Sequence, residues 1–323
     1  MTDFVRTPDA NFASLDGYAF EPHYHHWADL RVHYLDEGPR DGPVMLLVHG
    51  MPTWSYLYRD FIADLVAAGF RCIVPDHLGF GRSDKPIDPH WYSIARHTEV
   101  LTSLIHELDL SDITLVCQDW GGPIGLAQAV TMPERFRRLV IMNTWLHHPE
   151  YAYSDAIRRW NKNWQPGGLF ASDTPDVGTL VALSAGLISR EAAIATLARG
   201  AEPEFVSAQG AALRRAYLAP FAGLGAAACG GLAAFPLSIP FHDYARGSGA
   251  AQTLHFEQLK QWHKPAHFIW GGADDIFVEE WGRQWAASFA QSTFYNIEKA
   301  GHFLQNTHGE AIAQRIVSCI EHE

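Results

Sequence analysis

Two stretches of the chain put reactive side chains at the ends of runs that read as buried strands. The apolar run Ile113–Gln118 leads straight into Asp119-Trp120-Gly121-Gly122-Pro123, which opens a helix. A strand that bends sharply into a helix forces one residue to the tip, and small neighbours two positions to either side permit the bend. Cys117 and Gly121 are those neighbours, and Asp119 is the tip. Aspartate is also a good helix N-cap, so the turn alone leaves both readings open. Late in the chain, Asp274 follows the run Ala266–Trp270 and His302 follows the run Thr293–Ile297. Each has a bland alternative as a loop or capping residue. Together, at strand ends, they fall in the order nucleophile, acid, histidine. His49-Gly50-Met51-Pro52, after another apolar strand, stands where backbone N–H groups can meet a developing oxyanion.

A carboxylate nucleophile suits attack on a saturated carbon that bears a leaving group. The product is an ester on Asp119. His302, oriented by Asp274, then activates water against the carboxyl carbon of that ester. Backbone N–H groups of Met51 and Trp120 are placed to hold the oxyanion. Alkyl halides and epoxides both satisfy this scheme. A halide leaves as a finished anion and needs donors only, whereas an epoxide oxygen must gain a proton, normally from tyrosine. Trp120 carries a donor-only indole N–H, which suits a halide; plain core packing is the alternative role for a tryptophan.

The elements that must position these groups follow from periodicity. Strand-like runs at Arg31–Leu35, Val44–His49, Arg71–Pro75, Ile113–Gln118, Leu139–Asn143, Ala266–Trp270 and Thr293–Ile297 alternate with helical stretches such as Tyr56–Ala68, Ile94–Leu108 and Pro123–Thr131. Several runs are apolar throughout, as in strands covered on both faces of a parallel sheet. The alternation predicts right-handed βαβ units in an open α/β sheet. It stops between about Trp145 and Tyr244, where the text is helical and Ala-rich, and resumes near Ala266. The expected organisation is a core of residues 1–146 and 245–323 with a helical unit, 147–244, inserted after the sixth strand.

Composition limits the partners. With 24 Lys+Arg against 36 Asp+Glu the net charge is −12, which argues against nucleic acid and against an anionic membrane surface. Hydrophobic residues make up 47% of the 323 positions and charged ones 19%, ample for a core. Residues 216–241 are uncharged and long enough to span a bilayer, but three prolines break them, so a helix pair in a soluble unit is expected. Cys72, Cys117, Cys229 and Cys319 are far apart, as free thiols are, and the polar N-terminus shows no secretory signal; a cytoplasmic location is expected. His23, His25 and His26 cluster without a carboxylate or cysteine at ligand spacing, so no metal is expected. His147-His148 reads as a polar hinge pair.

The sequence resembles the haloalkane dehalogenases, most closely their subfamily I, over almost its whole length. The segments that carry this are Arg6-Thr7-Pro8-Asp9, His33-Tyr34-Leu35-Asp36-Glu37-Gly38, the stretch from His49 to Arg59, that from Gly79 to Pro86, Gln118-Asp119-Trp120-Gly121-Gly122 and Ala300-Gly301-His302-Phe303. The resemblance implies an α/β-hydrolase fold, a mostly parallel eight-stranded sheet flanked by helices with an inserted helical cap. It implies a cofactor-free enzyme, monomer or small homo-oligomer, acting on a small halogenated aliphatic substrate with water and releasing halide. It assigns Asp119 as nucleophile, His302 as base, Asp274 as acid (Asp275 being the neighbouring competitor) and Trp120 as a halide donor. Other subfamilies carry the acid after the sixth strand, where this chain has Asn143-Thr144. The second halide donor comes from the cap: Trp160, in Ser154–Trp160, is chosen, with Trp164 its rival four residues on. Trp54, Pro123, Phe235, Pro236 and Ile276 are the expected apolar pocket walls. Where the family usually has Glu or Asn, Met51 offers only its backbone. Two other functions fit parts of the pattern: an epoxide hydrolase using Tyr151, Tyr153 or Tyr217, and a non-catalytic binding protein on the same fold. Trp120 stands where fluoroacetate dehalogenases have Arg.

Overall fold

A computed structural model describes residues 1–241 and 243–323. Eight strands form one sheet: β1 (His23–Trp27), β2 (Leu30–Glu37), β3 (Val44–Val48), β4 (Arg71–Pro75), β5 (Ile113–Gln118), β6 (Phe136–Met142), β7 (Ala266–Gly271) and β8 (Ser292–Ile297). Their order is β8-β7-β6-β5-β3-β4-β2-β1. Every neighbouring pair is parallel except those of β2, which runs antiparallel to both β1 and β4. Every residue of β3 and β5 is buried, which matches their unbroken apolar text and requires helices on both faces.

Those helices are α1 (Arg59–Ala67), α2 (Ile94–Glu107), α3 (Gly121–Thr131), α9 (Gly249–Leu259), α10 (Glu279–Ala286) and α11 (Gln305–Glu321). Helix α1 packs on α11, and α3 packs on α2 and α9. In α2 the buried positions Ile94, His97, Val100, Leu101, Leu104 and Ile105 recur at helical spacing, and the Ser93 hydroxyl caps the first turn by accepting the Arg96 N–H.

Between β6 and α9 lie α4 (Asp155–Trp164), α5 (Val177–Ser184), α6 (Arg190–Arg199), α7 (Ala208–Leu218) and α8 (Gly230–Leu237). Only an isolated bridge, Ile188 with Phe205, interrupts this helical run among the described residues. Residues 216–241 form the end of α7, a 3-10 turn at Gly225–Ala228 and α8, and no helix among the described residues is long and apolar enough to cross a membrane.

Two parts of the sheet differ from the sequence reading. Strand β1 carries no apolar run, being an edge strand of three histidines with Tyr24 and Trp27: His23 stacks on Tyr34, and His25 is buried with its Nε2 2.9 Å from the Ser103 hydroxyl. Strand β6 begins at Phe136, not Leu139, because Arg138 is buried in it, paired with Glu323 at 2.7 Å and donating to Thr114 at 3.0 Å. A charged pair hides a strand from an apolar pattern. A two-stranded ribbon, Phe4–Val5 with Lys85–Pro86, is too short to show a periodicity in the sequence.

Five adjacent parallel strands, β8-β7-β6-β5-β3, end on the same edge of the sheet. His302, Asp274, Asn143, Asp119 and Met51 follow their carboxyl ends in turn. In open α/β sheets this is where ligands bind.

Candidate active site

Asp119 sits between β5 and α3 with φ at +52°, a left-handed conformation that costs a non-glycine residue of order 1–3 kcal/mol and persists only when its surroundings enforce it. The surroundings are specific. The Asp119 N–H donates to the Asn143 carbonyl at 3.0 Å, and its own carbonyl accepts the Thr144 hydroxyl. Two glycines let the turn close: a Cβ on Gly50 would lie 2.2 Å from Asp119 Oδ1, and one on Gly122 would lie 1.9 Å from the Thr144 hydroxyl. The capping alternative is therefore set aside, for no cap hydrogen bond links the Asp119 side chain to α3; its oxygens point elsewhere.

One of them, Oδ1, accepts the Met51 N–H at 2.8 Å. The other, Oδ2, faces His302 Nε2 at 3.5 Å. The Trp120 amide, the second expected oxyanion donor, makes no hydrogen bond to a described residue. On its far side His302 Nδ1 lies 2.9 Å from Asp274 Oδ2. Asp274 is held in turn by the Ile276 N–H at 2.8 Å and by the Asn143 amide at 2.8 Å. Burial favours the neutral imidazole, but the Asp274 charge and hydrogen bonds to Asp119 and Asp274 outweigh it and push His302 up to about 10. A histidine clasped by two carboxylates is thus an imidazolium at neutral pH. Asp275 has a different fate: its side chain is 79% exposed and lies 3.8 Å from Arg159.

Asn143 is a residue whose role the sequence did not disclose. Its side-chain oxygen accepts the Gly271 N–H at 2.7 Å while its amide donates to Asp274. It thereby ties β6, β7 and Asp274 together, from the position where other subfamilies carry a carboxylate. Asn143→Ala removes both contacts and leaves a buried N–H unsatisfied. Chemical denaturation should show a loss of about 2 kcal/mol, and turnover should fall. Unchanged stability would contradict the bracing role.

A cavity of about 490 Å³ opens above Asp119. Asp119, Asp274, His302, Met51, Trp120, Trp160 and Ile276 line it. Trp145, Phe277 and Phe303, which the sequence did not single out, line it as well. Trp145 packs edge-on against Trp120 with ring centres 4.6 Å apart and stacks on Phe277. Trp164 does not reach the cavity. From α4, Ile157 and Trp160 line it, while Trp164 is buried against Trp160 and Phe170.

Four of the expected pocket walls stand outside the lining. Trp54 is turned away by its indole N–H, which donates to the Ala216 carbonyl at 3.2 Å, and by packing on Phe12 and Tyr18. Phe235 supports Trp120 from behind with ring centres 5.4 Å apart. Pro236 is within α8 and its carbonyl accepts from Asn161 at 2.7 Å. Pro123 is buried in the first turn of α3. Tyr151, Tyr153 and Tyr217 are buried and do not line the cavity; the Tyr217 hydroxyl donates to Asn306 at 3.0 Å. His147 and His148 are buried too, His148 lying flat on Phe256 at 3.8 Å.

A strained carboxylate at a strand–helix elbow, a histidine and a second carboxylate on this sheet define an α/β hydrolase, and residues 43–181 match the family model described as the alpha/beta hydrolase fold. Among curated relatives, a haloalkane dehalogenase of Psychrobacter cryohalolentis is 36% identical, the match covering 98% of this chain and 97% of that protein. One of Mycolicibacterium paratuberculosis is 37% identical, with 97% of each covered. The solved structure of a Paraglaciecola agarilytica haloalkane dehalogenase, described as tetrameric, superposes with a TM-score of 0.82 at 31% identity, covering 97% of both chains. The chain belongs to the haloalkane dehalogenase family.

Proposed function

We propose that the protein hydrolyses carbon–halogen bonds of halogenated aliphatic compounds to an alcohol, halide and a proton, through a covalent ester on Asp119. The observation that carries this reading is the setting of Asp119, with one oxygen held by the Met51 N–H and the other facing His302. A carboxylate oxygen attacks the halogen-bearing carbon, a carbon–oxygen bond forms and the halide leaves with the bonding electron pair. Trp120 and Trp160, both on the cavity, are the donors we assign to the leaving halide, and neither indole N–H is spent on a described residue.

Ester formation removes the negative charge of Asp119. His302 then loses one of the two carboxylates that keep it protonated, its proton passes to solvent as the proton product, and the neutral imidazole is able to take a proton from water. Water attacks the Asp119 carboxyl carbon, the Met51 N–H steadies the oxyanion, and collapse releases the alcohol. Asp274 holds the resulting imidazolium. In this reading the helices within 147–244 act as a cap that brings Trp160 over the core, and the placement of the acid after β7 fits subfamily I.

The buried tyrosines, away from the cavity, lend no support to epoxide opening. The test is a panel of chlorinated, brominated and iodinated alkanes read by halide release. Release from bromo- and iodoalkanes is expected, and none from any member would overturn the proposal. The donor assignment has its own check. Trp160→Phe should lower kcat/KM by about tenfold or more, the cost of a lost hydrogen bond to an anion. Trp164→Phe should leave it within about twofold; the reverse order would reassign the donor.

A further inference from the structure

The cavity is chemically unequal at its two ends. Its floor is Asp119 with the indoles, its middle is aliphatic and aromatic, and its opening carries Arg159, Arg190 and Asp275, all exposed. Arg159 is matched by Asp275 at 3.8 Å. Arg190 has no ion-pair partner among the described residues, so the mouth holds a net positive charge in a chain of net charge −12. Arg190 also opens α6, where a cation meets the positive end of the helix and gains nothing from it. The neighbouring Glu191 projects from another face, since adjacent helical positions do not face each other.

Resting on the dehalogenase reading, we propose that Arg190 selects substrates that carry a carboxylate at the end opposite the halogen, the terminally halogenated alkanoates. The carboxylate stays at the wet mouth against the guanidinium while the methylene chain fills the apolar middle and the halogen-bearing carbon reaches Asp119. The carboxylate takes no part in bond making. A carbon–halogen bond is replaced by a carbon–oxygen bond, and the product is the hydroxyalkanoate with halide and a proton.

The test compares 6-bromohexanoate with its neutral counterpart 6-bromohexan-1-ol by halide release, in the wild type and in Arg190→Gln, Arg190→Lys and Arg190→Glu. Arg190→Gln should lower kcat/KM for the acid roughly fivefold, through KM, which is what an exposed ion pair supplies. Arg190→Lys should retain most of it, Arg190→Glu should lose more, and all three should leave the alcohol unchanged. Equal effects on both substrates, or none on the acid, would overturn the proposal. No halide from the acid, the alcohol or any member of the alkane panel with wild-type protein would instead overturn the dehalogenase reading beneath it. Arg190 is exposed, so the variants are expected to fold, and matching thermal midpoints check this.

Discussion

Asp119→Ala is expected to abolish halide release from every haloalkane, a loss of roughly 10,000-fold or more, because no other carboxylate can form the ester. Asp274 is the nearest alternative, but both its oxygens are engaged, by His302 and Asn143 on one side and the Ile276 N–H on the other. Asp119→Asn is the companion variant. Asparagine tolerates the left-handed backbone at +52° and can still accept the Met51 N–H, so the turn should persist while its uncharged oxygen attacks poorly. Folding of both variants can be followed by near-ultraviolet circular dichroism. Substantial turnover by a folded Asp119→Ala would remove the nucleophile from the account.

His302→Ala should have a different kinetic shape. The first step needs only the carboxylate, so one equivalent of halide per protein molecule should appear rapidly. Steady turnover should then fall by about 100- to 10,000-fold, the usual worth of a general base. The same logic sets the pH dependence of the wild type. His302 is held protonated in the resting site, about 10, by Asp274 and Asp119 against the pull of burial. On the proposed mechanism it is released to act only once Asp119 is esterified. Falling pH restores the imidazolium, so it should slow steady turnover while leaving single-turnover halide release largely unchanged. Rapid-quench measurements across pH separate the two. A first step that is lost with the second would place His302 in both.

The sequence disclosed the parts of this protein that depend on local pattern. The unbroken apolar text of β3 and β5 announces strands covered on both faces, and the small residues around Asp119 announce a turn too tight for most side chains. Strand ends that lie side by side in a parallel sheet put Asp119, Asp274 and His302 within reach of one another even though 183 positions separate the first from the last. What stayed hidden depends on side-chain direction or on long-range pairing. Arg138 concealed the start of β6 because its partner Glu323 lies 185 positions away. Trp54 reads as an apolar wall, but its indole N–H is satisfied by the Ala216 carbonyl and the ring does not line the cavity. Trp160 and Trp164 occupy the same side of α4 by spacing, and only the burial of Trp164 against Trp160 and Phe170 decides which one is left for the cavity. Asn143 was visible as a missing carboxylate, not as the brace of Asp274 that the structure gives it.

The central claim is that the substrate carbon becomes covalently attached to Asp119. Intact-protein mass spectrometry of His302→Ala after exposure to 1-bromohexane tests it most directly. The account predicts a stoichiometric gain of one hexyl group, mapped by peptide fragmentation to Asp119 and cleared from the wild type under the same conditions. Halide release from the variant with no adduct, or an adduct on another residue, would contradict it.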